Sequence, residues 1–337
     1  MIVDIYQYLF KNYITYDRLF ALNKKAFYER SDAESVDVFI DMHSMVKDIF
    51  SISGGLNFTY SNTSVLTSSI INLCAHLRQY YFTRHRVWTV FYIVFGWNSP
   101  IESIKRLPEY NAHNIMAINA KTIEKQLVEE NTKLLKTLCP YLPDIFFVYG
   151  GNYETIVTIG SLISQYGRGT KGIPSIIYTR DSYAYLAVSK LPLTFIFRPK
   201  KSNRDDVSYM VSKTNLIDSY LENELKQVPY TSSYDSNKFY EYISYAGLKS
   251  KGIRGVLRFK QAIDYYNGRH LYFTSEELSR VEAIAYTVNI NQQISMFQTS
   301  VEGMQVPSSI INLVSPEDVK QINNLYFQHY PLDLNNL

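Results

Sequence analysis

The chain has 337 residues and a mass of 39.2 kDa, with 46% hydrophobic and 19% charged residues and a formal net charge of +3. Such a chain buries a large core, in one large domain or two smaller ones, and is not a disordered polar polymer. The charge is too small to indicate nucleic-acid binding by itself, which calls for a concentrated basic patch.

Residues 1–34 open the chain. Ile5, Leu9, Phe10, Ile14, Leu19 and Phe20 recur at helical spacing, which predicts one or two amphipathic helices. Several aromatics fall outside that stripe, so this arm is expected to dock a protein partner or to pack on the body. SVDVFID then reads as a buried strand with Asp41 at its C-terminal end, running into a helix. VLTSSIINLCAHLRQYYF (65–82) reads as a helix and RVWTVFYIVFG (86–96) as a strand too apolar for an exposed edge. Residues 119–138 predict a charged helix. DIFFVYG (144–150) predicts a strand and YETIVTIGSLISQYG a helix. IPSIIYTRD (173–181) is a strand, DSYAYLAVSK a short helix and PLTFIFRP (192–199) a further strand. From about 209 onward the pattern is mostly helical.

Alternating strands and helices over 35–208 predict an α/β domain. Its sheet is mainly parallel, with helices on both faces, and residues 209–337 form a helical cap. Strand C-terminal ends make the crevice in such sheets. Asp41, Gly96, Glu154 and Asp181 all fall at or just after those ends. Cys74 and Cys139 lie in apolar contexts and are expected to be buried free thiols of a reducing compartment. No uncharged apolar run reaches membrane-spanning length, and the N-terminus carries early acids. The expectation is a cytoplasmic protein, of host cytoplasm or virion if phage-encoded, with no membrane contact.

The order of motifs resembles the flap endonuclease and 5′→3′ exonuclease family, the PIN-like nucleases, in its phage and bacterial-polymerase branch. VFIDMHSMV matches the first strand and its Asp. VFYIVFGWNSPIESIKRLPEYNAHN resembles V-F-D followed by R…Y-x-x-Y-K-x-H-R. NYETIVTIGSLI resembles Y-E-A-D-D-x-I-G-x-L, and IIYTRDSYAYLAV resembles x-T-x-D-x-D-x-x-Q-L-V. YISYAGLKSKGIRGVLRFKQAIDYY resembles G-D-x-S-D-N-I-P-G-V leading into a helix–hairpin–helix, here about 245–267.

The resemblance implies a carboxylate cluster that holds divalent cations for phosphodiester cleavage. Asp41, Glu154 and Asp181 keep family acids. Gly96, Ile156, Val157, Tyr183, Leu248 and Lys251 stand where the family has the others. The implied reading is a pseudo-nuclease with no cofactor and no confident catalytic residue, serving as a nucleic-acid-binding or structural subunit of a larger, phage or viral, assembly. Two alternatives stay open. One is a residual magnesium- or manganese-dependent 5′-nuclease using Asp41, Glu154 and Asp181. The other is a protein-interaction or virion component that binds no nucleic acid. The family's K-x-H-R cations are reduced to His113, with Lys105 and Arg106 nearby. The hairpin segment carries Lys249, Lys251, Arg254, Arg258 and Lys260 with no acid among them. These basic residues are the candidate phosphate contacts.

Overall fold

The computed structural model describes residues 35–45, 67, 70–75, 77–78, 87–96, 131–135, 139, 142, 144–149, 155–166, 173–198, 209–229, 234–248, 257–268, 274–276 and 278–279. Six strands form one sheet: β1 Ser35–Asp41, β2 Trp88–Phe95, β3 Ile145–Tyr149, β4 Ser175–Tyr178, β5 Thr194–Arg198 and β6 Tyr209–Val211. Their spatial order is β3-β2-β1-β4-β5-β6. The first five are parallel, and β6 joins β5 antiparallel, with Arg198 opposite Tyr209.

The strands are apolar runs because the sheet is covered on both sides. Alternate residues go to opposite faces. Val38, Ile40, Phe91, Ile93, Phe95, Ile176, Phe195 and Phe197 enter one core with helical residues around Ile70, Ile71, Cys74 and Leu135. Phe39, Tyr92, Val94, Ile177 and Ile196 enter the other. That second core is closed by helices α1 Thr155–Tyr166, α2 Ala184–Lys190, α3 Leu216–Tyr220, α4 Phe239–Ala246 and α5 Phe259–Tyr266. Helices thus lie on both faces, as the alternation predicts.

Cys74 and Cys139 are free and buried in the first core. Burial pushes the Cys139 thiol up to about 12 and raises that of Cys74 as well. Among the described residues no helix is long and apolar enough to cross a membrane.

The sequence reading differs from the structure at residue 209. It expects a mostly helical region from there, whereas Tyr209–Val211 is the sheet's edge strand. Three residues are too short to show a period of two, and one neighbour supplies all the pairing. Among the described residues after that strand, 212–268 are built mainly of helices. The helix–hairpin–helix expected at about 245–267 is not confirmed: α4 ends near its start and α5 lies near its end. Its connecting residues 249–256, and the arm 1–34, lie outside the described residues.

Candidate functional site

β1 and β4 are neighbours, but the chain leaves them toward opposite edges of the sheet. Such a reversal opens a crevice at the strand C-terminal ends. Asp41 ends β1 there, and Thr179, Arg180 and Asp181 follow β4. Sequence spacing predicted both acids for this crevice, and the fold brings them to adjacent strand ends.

Asp41 is 2% exposed. Its Oδ1 accepts the backbone N–H groups of His43 at 3.0 Å and Ser44 at 3.3 Å. Its Oδ2 accepts the hydroxyls of Ser44 and Thr179, each at 2.6 Å. The carboxylate therefore caps helical residues 42–45 and ties β1 to β4. The hydroxyls have also given up their single protons to these bonds. Having donated to Asp41, Ser44 Oγ accepts the Arg180 N–H at 2.9 Å, and Thr179 Oγ1 accepts the Asp181 N–H at 3.0 Å. Asp181 Oδ1 accepts the Tyr183 N–H at 2.9 Å, turning the chain toward α2.

A second network stands at the end of β2. Gly96, where the flap-nuclease pattern has an acid, donates its N–H to Thr155 Oγ1 at 3.0 Å. The Thr155 hydroxyl returns a bond to the Gly96 carbonyl at 3.1 Å. That carbonyl also accepts His43 Nε2 at 3.0 Å, which fixes the proton on Nε2. The His43 ring lies 5.0 Å from that of Phe95. Thr155 begins α1, so the latch sets the helix against the strand end.

Ile156 and Val157 follow on α1 with 1% and 0% exposure, inside the second core. Tyr183 and Leu248 are buried in the same core. Glu154, Lys249, Lys251, Arg254, Lys105 and Arg106 lie outside the described residues. Arg258 and Lys260 are exposed at the start of α5. The Arg258 N–H donates to Gln261 Oε1 at 3.1 Å, a helix-start bond that leaves the guanidinium uncommitted by it.

Other polar groups were not singled out in the sequence. His43, Ser44, Thr155 and Thr179 build the two networks. Arg198, at the end of β5, pairs with Glu224. A sequence signal existed for two of the hydroxyls: Ser44 and Thr179 follow the ends of β1 and β4 within three residues. Within the cation–aromatic run at 76–88, the described Arg78 has a structural role. Buried Arg78 donates to the carbonyls of Thr89 and Asp144, each at 3.1 Å, and lies 4.7 Å from the Trp88 ring centre.

The described residues do not fit a resident divalent cation. Magnesium-type ions take oxygen ligands with substantial negative charge. Both Asp41 oxygens already accept two donors each, and the hydroxyls beside them are neutral groups that bring no negative charge. Among the described residues, no group of three or more His, Cys, Asp or Glu is placed to hold a metal.

No family model matches the chain, and no curated protein matches its sequence. Solved structures do match in fold. A bacteriophage T5 protein co-crystallised with metal ions superposes with TM-score 0.54 at 11% identity, over 78% of this chain and 90% of that one. A T5 5′-exonuclease variant gives 0.51 at 12% identity, over 79% and 89%. A T5 flap endonuclease variant, in a product complex with DNA and metal ions, gives 0.51 at 12% identity, over 78% and 89%. The chain has the flap-nuclease fold.

Proposed function

We propose that this chain is a nucleic-acid-binding flap-nuclease-fold protein that does not cleave through a metal ion, and that it acts as a binding or structural subunit of a larger assembly. One observation carries the reading. The acid at the end of β1, central to metal binding in the motif pattern, is saturated by four donors from His43, Ser44 and Thr179. Its role is to join strand ends. Gly96 puts no charge at the end of β2, and Ile156 and Val157, where the motif pattern has two further acids, are core residues.

Nucleic acid is the favoured partner on two grounds. A fold neighbour is seen with DNA. The exposed Arg258 and Lys260 open α5, beside the basic run that begins at Lys249. The aromatic spacing of residues 1–34 supports a separate protein-docking role for the arm.

The test pairs cleavage with binding. A labelled 5′-flap DNA is incubated with the protein in magnesium or manganese, and its affinity is measured in EDTA. The expected result is no cleavage above the Asp181→Ala control, with binding retained in EDTA and weakening as salt rises. Metal-dependent cleavage lost in Asp181→Ala overturns the proposal in favour of a reduced nuclease. Absence of DNA binding at low salt overturns it in favour of a protein-interaction component.

A further inference from the structure

Arg198 is the last residue of β5, one strand beyond β4 on the crevice side. The Thr179 N–H donates to the Phe197 carbonyl at 3.2 Å, so the two strand ends are tied together. The backbone of Arg198 is therefore anchored on the sheet, at the strand end beside Thr179. The residue is 6% exposed. Its Nη2 meets Glu224 Oε1 at 2.7 Å, and its guanidinium carbon lies 5.7 Å from the Tyr185 ring centre. Its Nη1 is buried and has no hydrogen-bond partner.

A buried guanidinium with an idle donor is expensive to keep. Its planar fork is shaped for two-point contact with an oxyanion, a capacity the one-point ion pair with Glu224 does not use. The acid is held differently from the cation. Glu224 is 21% exposed and lies on the π-turn Leu221–Leu225 that continues α3. That turn ends at Lys226 in the left-handed region, with φ 56°. Single π-turns are uncommon and occur often at functional sites. The pair thus joins a fixed cation to an acid on irregular, more accessible backbone.

We propose that Arg198 is a phosphate-binding residue of the crevice, held in reserve by Glu224. A phosphodiester entering at the ends of β4 and β5 takes the place of the Glu224 carboxylate and engages both terminal nitrogens of Arg198. This deepens the nucleic-acid-binding reading and rests on it, by naming a contact outside the basic hairpin segment.

The experiment measures binding of a fluorescent single-stranded oligonucleotide by anisotropy in EDTA across a salt series. Glu224→Gln removes the competing charge at nearly constant volume. It is expected to tighten binding about threefold, the order of one released ion-pair contact. Arg198→Gln is expected to weaken binding and to lower the salt slope by about one. In the double variant the gain from Glu224→Gln disappears.

Unchanged or weaker binding by folded Glu224→Gln overturns the proposal, and so does a gain that persists in the double variant. Circular dichroism checks folding. If Glu224→Gln does not fold, Glu224→Asp, which draws the carboxylate back by one methylene, is read by the same criteria. Inorganic phosphate gives a second arm: it is expected to raise the melting temperature of the wild type more than that of Arg198→Gln, and equal shifts count against the site. Cleavage in magnesium would end the pseudo-nuclease reading while leaving these affinity changes intact, so the two failures are distinguishable.

Discussion

Asp41 shows what one residue's surroundings decide. Its place at a strand end was legible, because VDVFID is apolar up to that acid. The saturation of its oxygens was not, because Thr179 approaches only once β4 pairs with β1. Four donors converge on a carboxylate that is 2% exposed. Removing it orphans two hydroxyls and two backbone N–H groups in a buried niche. Asp41→Ala is expected to cost about 2–4 kcal/mol, read from urea unfolding. Asp41→Asn should cost less. Its amide oxygen keeps the helix-cap bonds, while its NH2 must be met by reoriented hydroxyls of Ser44 and Thr179. The comparison separates this role from metal binding. An acid kept for a cation suffers from its neighbours' negative charge, and its neutralisation stabilises the protein without the ion. A more stable Asp41→Asn would therefore contradict the structural account.

At the scale of elements, β1 to β5 and helices α1 and α2 were legible because each is an apolar run or a marked period bounded by polar turns. Antiparallel β6 was not, since pairing with β5 defines it more than its three residues do. The bonds of the hydroxyl latches were also hidden: Ser44 and Thr179 stand visibly beside strand ends, but which partners they meet depends on the pairing of β1 with β4. Helix α1 shows how far the departure from the metal-binding pattern reaches. Every residue from Thr155 to Ile163 is buried, so the positions of Ile156 and Val157 are core positions and not a solvated rim. Restoring the acids by Ile156→Asp and Val157→Asp places two carboxylates among Val94, Val148 and Ile177. Each substitution is expected to destabilise by about 3 kcal/mol or more, and the pair to abolish cooperative folding. Soluble expression and urea melts measure this. A folded double variant that binds manganese would show that the helix face still opens to the crevice.

Aromatic side chains join the helices that close the second core. Tyr185 on α2, Tyr220 at the end of α3, Phe239 on α4 and Phe259 on α5 form one cluster. Tyr220 stands edge-on to Tyr185 and Phe239, with ring centres at 5.2 Å and 5.1 Å, and Phe259 lies 5.1 Å from Tyr220. This cluster is continuous with the second core, which includes Phe39 and Ile177 of the sheet. The helices after β6 are therefore not an independent lobe in energetic terms, because their apolar faces complete a core that the sheet begins. Phe239 is fully buried between α2, α3 and α5. Phe239→Ala removes the ring where four helices meet, and is expected to cost about 3–5 kcal/mol. The mode of failure distinguishes one cooperative unit from two. If the sheet and the helices share their stability, far-ultraviolet circular dichroism and tyrosine fluorescence will report one transition, shifted equally to lower denaturant. A separate early transition in Phe239→Ala, with the remainder unfolding at the wild-type midpoint, would mean that the helices melt alone. The crevice, with Asp41, Asp181 and Arg198 on the sheet and Glu224 beyond α3, would then be lined by two units of unequal stability. The shared core argues for the single transition, and with it for a crevice whose two sides open and close only with the fold as a whole.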